Sequence, residues 1–379
     1  MQQAELLRSR LKEIGFDEVR FAQLEELEPS TLKSWLSQGY HADMHWMENS
    51  VDKRLNPELV LPGVKSLILL GVNYSHGETH EAAGPRIARY ARHVDYHDTI
   101  KPGLEKAGKV IEELYNLTSN DYRYYVDTGP VLERAWAAKA GLGFIGKNAM
   151  LISRQFGNWL LLSAILVRLE LPADQPIKKI IKQDLKKSSE IGLLCGKCAR
   201  CMDACPTGAF SGPGVLDSRL CVSYHTIENK GVIPKNMRSQ IGDRIFGCDT
   251  CLEVCPWNRF ATKGRKLLLT VREEGVGLSL EAYLQFDETV FKERFKKTPL
   301  MRLKFNRFIR NVLIAAGNAK NKELFSLVAV WLNHENNIIR AHAIDALSKI
   351  NPLEAKPYLE KLRMSERDPL VRAELETLS

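Results

Sequence analysis

The sequence predicts three successive domains: a mixed α/β domain over residues 1–190, a small ferredoxin-like domain over 191–262, and an α-helical domain of HEAT-like repeats over 263–379. Three observations carry this reading. Strand-like and helix-like apolar periods alternate through the first 170 residues. All eight cysteines fall between Cys195 and Cys255. An apolar–Arg–x3–apolar pattern recurs at Arg310, Arg340 and Arg372, 30 and then 32 residues apart, as in stacked helical hairpins.

The elements follow in order. Residues 4–14 have helical periodicity and lead to a strand at 18–22. "TLKSWLSQG" reads as a helix stopped by Gly39. "VKSLILLGVNY" (64–74) reads as a buried strand, apolar without a break from Leu67 to Val72. "TIKPGLEKAGKVIEELYNL" (99–117) is a long amphipathic helix, and "YRYYV" (122–126) a strand ending in the turn "DTGP". Pro130 suits the first turn of the next helix, where its fixed φ is pre-set and its missing N–H is not needed. That helix, "VLERAWAAKAG", stops at Gly141. A Gly-rich loop, "GLGFIGKN", and a strand, "NWLLLSAILVRLEL", complete the first domain. Residues 171–192 form a charged connector, and from about 265 the pattern is helical to the end.

The net charge of +8 is unevenly spread. "KERFKKTPLMRLKFNRFIR" (292–310) carries Lys292, Arg294, Lys296, Lys297, Arg302, Lys304, Arg307 and Arg310 against Glu293 alone. A second basic run, "KKIIKQDLKK", occupies 178–187. Each run alone fits a solvated helix face as well as a polyanion surface; together they suggest a nucleic-acid partner. The N-terminus lacks the basic-then-apolar order of a signal peptide, and the apolar run Trp159–Val167 is too short to span a bilayer. We therefore expect a cytoplasmic protein with no membrane association. In that reducing compartment eight cysteines point to metal or redox chemistry rather than disulfides.

The cysteines specify which. Cys195-x2-Cys198-x2-Cys201-x3-Cys205-Pro is the bacterial ferredoxin run, whose fourth cysteine serves a second cluster. Cys248-x2-Cys251-x3-Cys255-Pro repeats it with one cysteine displaced upstream to Cys221. The ligand count closes with Cys195, Cys198, Cys201 and Cys255 on one [4Fe–4S] cluster and Cys205, Cys221, Cys248 and Cys251 on the other. Two four-cysteine zinc sites are the alternative, but zinc modules favour paired C-x2-C knuckles. A dinucleotide fingerprint and a Walker A loop are both missing. A two-cluster electron carrier accounts for the cysteines but leaves the first 170 residues without a task.

"VDTGPVLERAWAAKAGLGFIGKN" (126–148), the two cysteine motifs, "CVSYHTIENKG" (221–231), "DKRLNPELVLPGVKSLI" (52–68) and "ARHVDYHD" (91–98) together resemble the epoxyqueuosine reductase family over nearly the whole chain. The resemblance implies an oxidoreductase that converts epoxyqueuosine to queuosine at the tRNA wobble position. It also implies a base-off cobalamin on the N-terminal domain, two [4Fe–4S] clusters, an external low-potential electron donor, and kinship with reductive dehalogenases. A tRNA with a queuosine-type wobble base is the expected partner, and a monomer the expected state.

Reducing an epoxide to an alkene and water takes two electrons and two protons, so a proton donor is needed. Asp127 matches the family's proposed donor; without the family, aspartate before Thr-Gly-Pro reads as a turn former. Cofactor contacts expected from the matching motifs are Arg54, Asp127, Arg134, Lys147, Asn148 and Ser223. Arg54 and Arg134 also suit tRNA phosphates or surface ion pairs. His97 and His225 stand near the same motifs and have capping and packing roles open to them.

Overall fold

The computed structural model describes residues 2–25, 27–75, 84–177, 191–270, 272 and 276–377. The basic run at 178–187 lies outside the described residues. The chain forms two compact units, each discontinuous: Met1–Thr79 with Asp95–Arg219 and Thr250–Thr270, and His80–Val94 with Leu220–Asp249 and Val271–Ser379. Division by compactness thus differs from division by motif, because residues 191–262 contribute to both units.

The first unit is built on α1 (Gln2–Ile14), β1 (Glu18–Gln23), α2 (Pro29–Ser37), α3 (Val51–Leu55), β2 (Ser66–Asn73), α4 (Tyr96–Tyr115), β3 (Tyr122–Val126), α5 (Glu133–Lys139) and β4 (Leu160–Val167). The strands form one sheet in the order β1-β2-β4-β3, with every neighbouring pair antiparallel. Every residue of β2 is buried, as its unbroken apolar run requires. Leu67, Leu69, Ala164 and Leu166 pack with Trp136 and Ala137 of α5 on one face. Ile68, Leu70 and Ile165, alternating with them, are also buried, while α1 packs on β1 and α4, and α4 on β3. Trp136 is fully enclosed, and truncating such a side chain typically costs about 3–5 kcal/mol.

The loop between β3 and α5 departs from expectation. Thr128 N–H donates to Val126 O at 2.6 Å, and Asp127 between them has φ +60°. This is the i→i+2 pairing of a γ-turn, a strained conformation for a non-glycine residue. Gly129 lies so close to the Tyr125 ring that a Cβ there would collide with it. The chain therefore reverses before it can coil. Pro130 sits in the irregular loop, and α5 begins only at Glu133.

The second unit is mainly helical: α6 (Val222–Ile227), α7 (Lys235–Ile241), α8 (Glu288–Phe295), α9 (Lys304–Ala319), α10 (Asn337–Ile350), α11 (Pro352–Ser365) and α12 (Pro369–Glu376). Its core holds Tyr283, Phe291, Phe295 and Phe308 in edge-on and tilted ring contacts. Helix α9 crosses α10 closely at Gly317, where a Cβ would come within 2.9 Å of Ala346 Cα. Arg238 of α7 is buried and bonds Glu374 of α12 through two nitrogens, at 2.8 and 3.0 Å. Losing one partner of such a buried pair costs about 3–5 kcal/mol, because the other charge is stranded.

The recurring arginines do not share one role. Arg340 pairs with Glu366 at 2.8 Å. Arg310 is fully buried without a carboxylate: Nη1 donates to Asn229 O and Gly231 O, and Nη2 to His225 O, each at 2.8 Å. Burial pushes its guanidinium down to about 9, with Arg307 adding to the fall.

Candidate active site and iron–sulfur centre

Asp127 projects from the strained turn with a side chain 63% exposed. Tyr96, at the start of α4, is 7% exposed and donates its hydroxyl to Asp127 Oδ2 at 2.5 Å. The neighbouring His97 ring lies against Tyr96 at a tilt of 38°, with 4.0 Å between ring centroids. Its Nδ1 lies 2.8 Å from Asp95 Oδ1, and its Nε2 lies 3.7 Å from Asp127 Oδ2. Asp95 is also the N-cap of α4, accepting from the His97 backbone N–H. One cap thus orients the His97 ring that faces Asp127.

A second acidic group belongs to the same neighbourhood. Glu133, the first residue of α5, has an enclosed Oε1 with no hydrogen-bond partner. Burial pushes its carboxyl up to about 8, and the charge of Asp127 adds to the rise, although its own N–H and then Arg54 and Arg134 oppose it. At neutral pH Glu133 is a neutral acid. Arg54 is buried, lies over the Trp46 ring, and donates from Nε to Ser50 Oγ at 2.9 Å. Burial lowers its pKa, with Glu133 and Asp127 pulling the other way. Arg134 is exposed and its Nη1 donates to Ala149 O at 2.6 Å.

The first cysteine set lies wholly within one unit. Cys195, Cys198, Cys201 and Cys255 line one cavity with Lys147 and Trp257. Burial pushes the Cys195 and Cys201 thiols up; Cys255 adds to both, while the Lys147 N–H and ammonium pull Cys195 back. Four soft sulfur donors gathered on one cavity suit a cationic iron–sulfide core. Lys147 Nζ donates to Gly196 O at 2.8 Å and Cys198 O at 2.9 Å. Asn148 is buried, donates to Asn158 Oδ1 at 3.0 Å and accepts from the Met150 N–H. Of the second set, Cys205 Sγ accepts from Ala209 N–H at 3.4 Å, and Cys221 is the N-cap of α6.

The predicted residues therefore sort into groups. Arg54, Asp127 and Arg134 gather about one loop. Lys147, expected at the cofactor, bonds two carbonyls of the cysteine loop, and Asn148, expected there too, bonds Asn158 and the Met150 N–H. Ser223 lies on α6 in the second unit, two residues after Cys221. His225 there is buried, with Nδ1 3.2 Å from Asn229 Nδ2. In the basic run Arg310 is internal and Arg307 half-buried, donating to Leu303 O and Ile227 O, so neither is a phosphate contact. Lys292, Arg294, Lys296, Lys297, Arg302 and Lys304 remain exposed. Sequence reasoning missed Tyr96 and Glu133. Tyr96 adjoins the histidine that was singled out; Glu133 resembles the ordinary acidic first turn of a helix.

An α/β unit presenting a carboxylate on a strained turn, together with a four-cysteine cavity, defines an iron–sulfur oxidoreductase. The comparisons specify it further. Residues 194–258 match a 4Fe-4S double cluster binding domain, residues 54–128 match epoxyqueuosine reductase QueG, and residues 303–379 match HEAT repeats. The epoxyqueuosine reductase of Xanthomonas campestris is 35% identical over 90% of this chain and 95% of its own. That of Escherichia coli is 34% identical over 89% and 86%. Among solved structures, an epoxyqueuosine reductase with an epoxyqueuosine-modified tRNA stem loop superposes with a TM-score of 0.83 at 27% identity, over 100% of this chain and 98% of its own. The Bacillus subtilis enzyme, with a catalytic loop swung out of its active site, gives 0.79 at 27% over the same shares. The chain belongs to the epoxyqueuosine reductase family.

Proposed function

We propose that this chain reduces epoxyqueuosine to queuosine at the wobble position of tRNA, using a base-off cobalamin and two [4Fe–4S] clusters, with Asp127 as proton donor. The observation that carries the donor assignment is Asp127 on a strained, solvent-facing turn, held through one oxygen by Tyr96. The overall reaction takes two electrons and two protons and releases the epoxide oxygen as water. Asp127 supplies a proton to that oxygen as it leaves. Tyr96 occupies Oδ2 and His97 flanks it, so the carboxyl is oriented before substrate arrives.

The residues around Asp127 fit a large amide-bearing cofactor. Glu133 Oε1 is enclosed without a partner, and Arg54, Arg134 and neutral Glu133 offer donors that suit amide oxygens. Arg54, Asp127 and Arg134 of the first unit would hold it. When bound, cobalamin takes electrons singly and delivers them as a pair. Cys195, Cys198, Cys201 and Cys255 hold one cluster; Cys205, Cys221, Cys248 and Cys251 hold the other. A low-potential donor outside the chain refills them. The partner is a cytoplasmic tRNA, gripped by the exposed lysines and arginines of 292–304, and the enzyme acts as a monomer.

The test is anaerobic. Cluster-loaded protein is given cobalamin, the unbound part is removed, and the EPR spectrum of the retained cobalt is recorded. A signal without nitrogen splitting from the lower base supports the cofactor assignment; no retained cobalt contradicts it. Asp127→Asn is expected to keep clusters and cofactor and to lose turnover of epoxyqueuosine tRNA. Asparagine tolerates the left-handed backbone, so the turn survives. Full activity in that variant would overturn the role of Asp127.

A further inference from the structure

We propose that His41, His45 and Glu48 form a binding site for a borderline divalent transition-metal ion of the zinc class, separate from the cysteines. One ligand atom from each lies within 4.8 Å of the other two. His41 Nε2 is 3.0 Å from Glu48 Oε1, and His45 Nδ1 is 3.1 Å from Glu48 Oε2. Zinc–nitrogen and zinc–oxygen bonds of about 2.0–2.1 Å set tetrahedral ligand–ligand edges of about 3.3 Å, close to each histidine–carboxylate separation; one Glu48 oxygen would serve as ligand and the exposed His45 ring would swing to it. Two imidazoles and one carboxylate are the donor set that borderline divalent ions prefer.

The backbone builds this convergence. Ala42 has φ +53°, and successive turns are closed by Ala42 N–H to Gly39 O, Met44 N–H to His41 O, and Asn49 N–H to His45 O. These turns fold the His41-x3-His45-x2-Glu48 spacing onto one point. His41 is 6% exposed and packs against the Trp35 ring, whose Nε1 donates to Leu216 O at 2.7 Å. One ligand is therefore fixed in advance, while the His45 and Glu48 side chains, 69% and 45% exposed, can adjust. Three protein ligands leave one coordination position for water or an anion. A neutral His41 ligating through Nε2 carries its proton on Nδ1, which is enclosed without a partner. The site consequently lacks the outer-shell support of the tightest zinc centres. Its effect is to clip the segment that leads into α3 and Arg54.

The experiment uses the full chain with its clusters loaded, so that the cysteines are occupied, and titrates Zn2+ anaerobically against a competing chelator. One zinc per chain is expected, with affinity reduced at least tenfold in His45→Ala and in Glu48→Gln. Both positions are exposed, and circular dichroism checks that each variant is folded. The zinc-edge X-ray absorption of the one-to-one complex should show imidazole and no sulfur. No zinc uptake, equal affinity in the wild type and both variants, or a sulfur-dominated coordination shell would each overturn the site. None of these readouts depends on tRNA or cobalamin, so failure here leaves the functional reading untouched.

Discussion

Tyr96 Oη and Asp127 Oδ2 are 2.5 Å apart and 31 residues apart in sequence, and the hydrogen bond between them joins the start of α4 to the strained turn after β3. Hydrogen bonds to a charged group contribute about 1.5–3 kcal/mol. Tyr96→Phe is therefore expected to slow single-turnover reduction of epoxyqueuosine tRNA by roughly ten- to a hundredfold. Cluster content should not change. A wild-type rate would mean that the turn alone orients the carboxylate.

Glu133 makes stability depend on pH. Its carboxyl is raised from the ordinary 4.5 to about 8, so the folded chain keeps a proton that the unfolded chain releases. This contribution to stability is full below the unfolded value, declines as pH rises, and is gone above about 8, with a steepest slope of about 1.4 kcal/mol per pH unit. Glu133→Gln removes that slope. Urea denaturation of the wild type and variant across pH about 5 to about 8 should show the variant gaining relative stability with rising pH. A difference independent of pH would contradict the burial described for Glu133.

Lys147 ties the Gly-rich loop to two carbonyls of the first cysteine run. Lys147→Met keeps the stem and removes both bonds. Iron and sulfide retained after gel filtration should fall toward the content of one cluster, with Cys205, Cys221, Cys248 and Cys251 keeping theirs. Full retention of both clusters would show that the loop holds its shape without the ammonium.

The basic run divides into two kinds of residue. Arg310→Ala leaves the carbonyls of Asn229, Gly231 and His225 without their donor, and should lower stability by about 2–4 kcal/mol. Lys296→Ala with Lys297→Ala should leave stability nearly unchanged and reduce the salt dependence of tRNA binding by a slope of up to roughly 2. Equal effects on melting and on binding from both kinds of variant would contradict the division.

Much of this could be read from the chain because the relevant signals are local. The cysteine spacing reflects ligands that must meet within a few residues. The continuous apolar run of β2 reflects burial on both faces. What escaped was long-range or masked by a commoner meaning. The bond between Tyr96 and Asp127 depends on how α4 packs beside β3, which no local pattern records. Glu133 stands where acidic residues ordinarily complement a helix dipole, so its enclosure was invisible. Arg310 looked like the end of a basic surface because a run of charges hides the one that turns inward. Pro130 looked like a helix start because the turn legible in "DTGP" gives no sign of how far the irregular loop runs before α5.

Each compact unit is assembled from three separate stretches of chain. Cys255, which lines the cavity with Cys195, Cys198 and Cys201, belongs to the last stretch of the first unit. On the ribosome that cysteine emerges well after the other three, when much of the α/β sheet has already been made. Closing a loop of some fifty residues costs only roughly 3–4 kcal/mol, so the delay is a matter of timing rather than of equilibrium. Metallation is thus a late event in the life of the nascent chain, and a cell short of iron would accumulate molecules whose first unit is unfinished.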